Sequence, residues 1–445
     1  MKTPIADFVR KYADTERVRA HMPGHKGAHM LGCERYDITE VEGADVLYHA
    51  EGIIRESERI ASRLFGTAHT LYSCEGSSLS IRAMLYLAML YAKQEGREPL
   101  VFAGRNAHKS FLCACALLDI EIEWIWGGGE DILSCGITPE HLAEALAKAG
   151  RTPCAVYITS PDYLGNTADI AGLSRVCREH GVLLLTDNAH GAYLSFLPET
   201  KHPIALGADI CCDSAHKTLP VLTGGGYLHI SQHAPAICRD SADAAMALFA
   251  STSPSYLILQ SLDLANAYIA DGYREKLAAL CDRMAELKHR LARIGYTLAG
   301  DEEAKLTVRA KKYGYRGDEL SDILRTHGIE CEFADPDYTV LMLSPENTRE
   351  DIDAVERALC SIPRKEEITD VMPELPRPVC AMTPREAMLA PSRECGVHDA
   401  IGRVLAQPSV SCPPAIPVLV CGEVIDESAV SVFEYYGIDR CRVIL

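Results

Sequence analysis

The chain has 445 residues, 48% of them apolar and 24% charged, enough to bury a large core in two or three domains. A formal net charge of −18 argues against a nucleic-acid partner, because phosphate binding needs a basic surface that releases counterions. The longest apolar runs, such as AMLYLAML, fall far short of the ~20 residues that a membrane span requires, so a soluble globular protein is expected.

The opening stretch MKTPIADFVRKYADTERVRAHMPGHKG is charged throughout and has no apolar core, unlike a secretory signal, which points to the cytoplasm. The 18 cysteines are scattered and form no C-x-x-C pair. They read as small buried thiols in a reducing compartment, and no metal site is expected.

From about Thr67 to Asp213, short apolar runs alternate with amphipathic stretches, which predicts an α/β domain with a mostly parallel sheet. The clearest unit is CAVYIT (154–159), the helical LSRVCREHG closing on Gly181, VLLLTD (182–187), and then ADICCD (208–213). The last two runs end in Asp187 and Asp213, and in open α/β sheets ligands gather beyond the carboxyl ends of strands. A long helical stretch is expected over Ser261–Ile294, followed by a smaller α/β domain built from KLTVRA, GDELSDILRTHG, IECEFAD, YTVLMLS and TREDIDAVERALC. The Pro-rich SIPRKEEITDVMPELPRP (361–378) reads as a linker to a terminal lobe containing β-structure. The expected division is 1–50 as an N-terminal segment, 51–265 as the large domain, 266–365 as the small domain and 366–445 as the lobe.

Four segments carry residue types suited to one kind of chemistry. CCDSAHKTLPVLTGGGYLH (211–229) holds Lys217 behind His216 and Ser214. A lysine becomes a Schiff-base former when its neutral amine is favoured, and the plain alternative is a solvated charge. CEGSSLSIRAML (74–85) sets Ser77 and Ser78 at the start of a helix, where backbone N–H groups and the dipole suit a phosphate; a simple N-cap is the alternative. LLLTDNAHGAY (183–193) leaves Asp187 at a strand end with Ala189 and His190 beyond it, an acid able to hold a pyridinium nitrogen protonated or to cap a turn. RNAHKS (105–110) places His108 either against an aromatic ligand or on the surface.

In chain order, HMPGHKG (21–27), RNAHKS, SPDYLGNTADI (160–170), DNAHGAY, SAHKTLP, TSPSYLILQSLD (252–263) and TPREAM with AIGRVLA together resemble the ornithine/lysine/arginine decarboxylase family, in the short form without an N-terminal wing domain. The resemblance implies a fold-type I pyridoxal-phosphate enzyme, aspartate aminotransferase-like, acting as a homodimer or higher oligomer on an amino-acid substrate. Lys217 is then the lysine that binds pyridoxal 5'-phosphate covalently, with Asp187 on the ring nitrogen, His108 on one ring face and Ala189 on the other. Ser77, Ser78, Ser214 and His216 hold the phosphate, and Thr252 or Ser253 reaches a neighbouring site. His190 lies by the substrate, His25 and Lys26 lie near the mouth, and Lys217, His216 or His190 returns a proton to Cα. The glycines at 224–226 read as a tight turn into YLHI.

The implied reaction is decarboxylation of lysine, arginine or ornithine to an amine of polyamine metabolism. An aminotransferase or another Cα-lyase would share the same cofactor residues, and a catalytically silent binding protein is the third reading. Glu75, Asp162, Glu330 and Glu332 are candidate partners for a cationic substrate end, and Arg385 or Arg393 for its carboxylate. Three positions depart from the family pattern: DNAHG stands for D-E-A-H-G, Glu75 for an asparagine, and PPAIP (413–417) for P-P-G-I-P.

Overall fold

The structure, a computed structural model, describes residues 1–128, 136–370, 372–375, 377–411 and 417–445, so most of PPAIP lies outside the described residues. The chain divides into two compact units. The first comprises Met1–Glu98, Cys154–Val156 and Ile170–Glu275; the second comprises Pro99–Pro153, Tyr157–Asp169 and Lys276–Leu445.

The largest sheet has seven strands: β1 (His69–Ser73), β2 (Leu100–Gly104), β3 (Glu121–Ile125), β4 (Ala155–Thr159), β5 (Leu183–Asp187), β6 (Ile210–Asp213) and β7 (Gly226–Ile230). Their order is β1-β7-β6-β5-β4-β2-β3. β5 and β6 run parallel, as do β2 and β3, whereas β7 is antiparallel to both β6 and β1. β2, β5, β6 and β7 are buried at every position, in keeping with their largely apolar sequences.

The first unit also holds helices α1 (Pro4–Ala13), α2 (Ile53–Phe65) and α3 (Gly76–Gln94). The N-terminus of α1 is fixed by Asp263, a fully buried carboxylate that accepts the N–H groups of Ile5 and Ala6 at 2.9 Å each. This satisfies first-turn donors that have no partner within the helix. The long helix expected over Ser261–Ile294 is instead two, Tyr256–Ala270 and Tyr273–Arg293. Gly272, at φ +75°, takes the left-handed conformation that ends a helix.

The second unit contains a four-stranded antiparallel sheet of β8 (Leu298–Ala299), β9 (Lys305–Arg309), β10 (Phe333–Ala334) and β11 (Tyr338–Met342), in the order β10-β11-β9-β8. The helices Gly317–Thr326 and Arg349–Ser361 alternate with these strands, as their patterning predicts. Most of IECEFAD is irregular, and only its last two apolar positions before the turn pair with β11. Beyond it, β12 (Ser392–Gly396) pairs with β15 (Arg440–Ile444), and β13 (Ser409–Ser411) with β14 (Pro417–Val420). With the helix Glu427–Tyr435 they enclose Leu405, Leu419, Val432, Phe433 and Val443, all fully buried. Side chains of this size each contribute about 1.5–3 kcal/mol when buried. Among the described residues no helix is long and apolar enough to cross a membrane.

Candidate active site

The first unit brings together the carboxyl ends of β5 and β6 and the N-terminus of α3. Lys217 lies in the short helix Ala215–Thr218 that follows β6, and its Nζ is 2.9 Å from His190 Nε2. His190 is buried, on the loop that leaves β5. Asp187, the last residue of β5, is 2% exposed; its Oδ1 accepts the Ala189 N–H at 3.2 Å and the Cys212 thiol at 3.5 Å. The aspartate is therefore held at the strand end by the loop that follows it and by its neighbour in the sheet.

Ser77, in the first turn of α3, accepts a 2.9 Å hydrogen bond from Ser214 Oγ. The turn carrying Lys217 and the helix N-terminus thus meet through two hydroxyls. The N-cap residue of α3, Glu75, caps the helix with no side-chain hydrogen bond. Its carboxylate instead accepts the Ser251 N–H at 2.8 Å, so the charge that sequence places beside the phosphate loop is engaged by the 251–253 loop. That loop carries Thr252 and Ser253, both exposed. Ser78 stands beside Ser77, half-buried in the same turn.

The glycine run has a structural task. Gly224 O accepts the Gly76 N–H at 2.7 Å, and a Cβ on Gly224 would come within 3.0 Å of the Cys74 carbonyl. A Cβ on Gly226 would fall 2.9 Å from the Asp213 carbonyl and 3.0 Å from Gly76 C. The run lets β7 pass directly under the start of α3, as the tight-turn reading expects. Gly225 O also accepts the His216 backbone N–H at 3.1 Å and lies 2.8 Å from His216 Nδ1. A carbonyl only accepts, so Nδ1 carries the proton and Nε2 is left facing away from that contact.

His108 belongs to the second unit, where it is the N-cap of the helix Lys109–Leu118; its Nδ1 accepts the Ser110 N–H at 3.2 Å and leaves Nε2 as the protonated nitrogen. In that unit Asp162 is buried, with both carboxylate oxygens taken by Asn166, and burial pushes its pKa up to about 6. Glu330 is exposed and paired with Arg325, and Glu332 is exposed. Arg385 donates to the carbonyls of Ala116 and Leu117 at the end of the Lys109–Leu118 helix, a docking role, while Arg393 lies exposed on β12. In the first unit, His25 lies 3.2 Å from Asp37, and Lys26 Nζ donates to the His21 carbonyl.

One feature carries no sequence signal. Asp213, at the end of β6, is surrounded by His202 and His229, both fully buried and 3.1 and 3.0 Å from its Oδ2, and by Asn188 on Oδ1. The two imidazoles hold its carboxyl well below the usual range despite burial, and desolvation lowers the pKa of His229. His202 and His229 are 11 and 16 residues away in sequence, and only the tertiary fold assembles them.

A buried strand-end acid, a lysine beside an imidazole, and a helix N-terminus flanked by Ser77, Ser214 and His216 fit pyridoxal phosphate, with its ring nitrogen, aldehyde carbon and phosphate respectively. The comparisons agree. The family model for the Orn/Lys/Arg decarboxylase major domain matches residues 3–308. The chain is 28% identical to an arginine decarboxylase of Bacillus subtilis, over 97% of this chain and 92% of that one. It is also 28% identical to an arginine decarboxylase of Halalkalibacterium halodurans, over 96% and 92%. The lysine decarboxylase LdcF of Francisella novicida shares the fold, with a TM-score of 0.79 at 17% identity, covering 100% of this chain and 81% of that one. The chain belongs to the Orn/Lys/Arg decarboxylase family, whose members are pyridoxal-phosphate-dependent amino-acid decarboxylases of fold type I.

Proposed function

We propose that the protein decarboxylates a basic amino acid, arginine before lysine or ornithine, releasing CO2 and the corresponding amine for polyamine synthesis. The observation that carries the reading is the Lys217–His190 contact of 2.9 Å beside the buried Asp187. The preference for arginine is supported by relatives that match over nearly the whole chain and bear that name. In this reading the protein is a cytoplasmic homodimer or higher oligomer, with Thr252 or Ser253 contributed to the neighbouring site.

When bound, pyridoxal phosphate supplies the electron sink for the pair left behind as the carboxylate departs. Lys217 would hold it covalently, and Asp187 would keep a proton at the ring nitrogen. Ser77, Ser78, Ser214 and His216 would bind the phosphate, and Ala189 would pack against the ring. After loss of CO2, Lys217, His190 or His216 delivers a proton to Cα, and the lysine–imidazole contact lets that proton be held in either place.

The test is incubation of the purified protein with arginine, lysine and ornithine, with CO2, amine and keto acid measured together. Agmatine with stoichiometric CO2 is expected. Keto acid without CO2 would instead assign an aminotransferase, and bound cofactor with no product would assign a silent binding protein. Lys217→Ala should abolish covalent cofactor attachment, read by borohydride reduction and peptide mapping.

A further inference from the structure

Asp213 offers neither oxygen to solvent, because it is fully buried and every lone-pair direction is engaged. Oδ1 accepts Asn188 Nδ2 at 2.7 Å and the Cys211 thiol at 3.7 Å; Oδ2 meets His202 Nε2 at 3.1 Å and His229 Nε2 at 3.0 Å. His229 is in turn oriented by Thr70 Oγ1, 2.9 Å from its Nδ1. This carboxylate joins two segments. It directly precedes Ser214 on the path to Lys217, and through Asn188 it grips the residue between Asp187 and Ala189. A backbone hydrogen bond from Asn188 N to Cys212 O, 3.0 Å, closes the same connection.

The identity of residue 188 follows from this arrangement. The family pattern puts glutamate there, and in this chain a glutamate would bring a second carboxylate against the fully buried Asp213, where like charges strongly disfavour each other. Asparagine donates where glutamate would repel.

We infer that Asp213 and Asn188 form a matched pair that positions the cofactor-binding machinery: Asp213 is a positioning residue that fixes the loop bearing Asp187 and His190 relative to the turn bearing Lys217. The inference rests on Lys217 and Asp187 being the cofactor residues. His202, Cys211 and Asp213 also lie close enough to share a metal ion, but their polar hydrogens already converge on the carboxylate, and the pair requires no ion.

The experiment compares the wild type with Asn188→Ala, Asn188→Glu, Asp213→Asn and the double variant Asn188→Glu/Asp213→Asn. Readouts are borohydride mapping of the attached lysine, the pH midpoint of the bound cofactor's absorbance, kcat, melting temperature and metal content. Attachment at Lys217 in the wild type tests the underlying reading separately; attachment elsewhere defeats that reading and this inference with it. With attachment at Lys217 retained, each single variant is expected to move the absorbance midpoint by about half a pH unit or more. Each should also lower kcat roughly tenfold, and the double variant should recover more than either single one. Asn188→Ala adds no charge and removes only the connection, so it keeps the test open if Asn188→Glu does not fold. Melting temperatures that fall while midpoint and kcat stay at wild-type values would overturn the inference in favour of a purely structural role. Losses that add in the double variant would overturn the matched pair, as would one equivalent of metal that disappears with Asp213→Asn.

Discussion

Lys217 Nζ and His190 Nε2 are 2.9 Å apart, close enough for one proton to be shared between an amine and an imidazole. The ring is buried on the loop that follows Asp187, and in the proposed function it is one of the groups that return the proton to Cα. His190→Ala is therefore expected to leave the cofactor attached to Lys217 while turnover falls by about 100-fold or more, the usual worth of a positioned proton carrier. Steady-state kinetics together with peptide mapping checks this; turnover within threefold of wild type would assign the proton to another group.

Much of this site is legible in sequence because buried strands of a parallel sheet are continuous apolar runs, and their ends fall where the first charged residue stands. Asp187 and Asp213 are both found that way, but their tasks are not distinguishable by spacing. Asp187 meets the Ala189 N–H and the Cys212 thiol, whereas Asp213 is enclosed by two histidines that come from a helix start and from β7. The break at Gly272 interrupts what helical periodicity alone reads as one long helix. Glu75 is the opposite case: its charge was visible, but its direction depended on a backbone N–H 176 positions away.

That direction makes the cost of the Glu75 charge measurable. Glu75→Gln keeps an oxygen to accept the Ser251 N–H and removes a carboxylate from the neighbourhood of a dianionic phosphate. At the separation of neighbouring residues across solvent, the repulsion corresponds to roughly a two- to fivefold gain in cofactor affinity, shrinking as salt is added. Glu75→Ala removes the acceptor as well, and is expected to fall below Glu75→Gln in affinity because the 251–253 loop loses its tie. Equilibrium titration of apoprotein with the cofactor at two salt concentrations separates the two effects; equal affinities for all three proteins would refute both.

In the second unit, Asp335 titrates far from its ordinary range. Its Oδ1 accepts the N–H groups of Asp337 and Tyr338 at 2.8 and 2.7 Å, while Oδ2 is buried without a hydrogen-bond partner among the described residues. Burial pushes its pKa up to about 7. A carboxyl whose folded pKa exceeds its unfolded value of about 3.9 stabilises the fold fully below that unfolded value, and the contribution is lost as pH rises to and through 7. Asp335→Asn keeps the Oδ1 acceptor and cannot titrate. Between pH 5 and pH 8 the wild type should lose a few kcal/mol of stability relative to this variant, read from denaturant unfolding of the two proteins. Parallel pH profiles for the two proteins would contradict the assignment.

The two tryptophans of the chain report on a buried ion pair. Arg105, the first residue of RNAHKS, pairs through both terminal nitrogens with Glu423 at 2.7 Å each, and its guanidinium lies 5.0 Å from the Trp124 ring and 5.4 Å from the Trp126 ring. Both members of the pair are nearly inaccessible, and Glu423 also accepts the Val420 N–H at 2.8 Å. Removing the arginine leaves a carboxylate buried without its counter-charge, which typically costs about 3–5 kcal/mol, more than replacing both partners at once. Arg105→Ala should therefore destabilise the protein more than Arg105→Met/Glu423→Leu does. Arg105→Lys should fall between wild type and alanine, because a point charge cannot form the paired fork or stack on both rings. Tryptophan emission should shift in all three variants, since each removes the guanidinium from both indoles. If emission is unchanged while stability drops, the cation–ring contacts contribute nothing, and the bonds of Arg105 to Glu423 and to the Val418 carbonyl carry the effect.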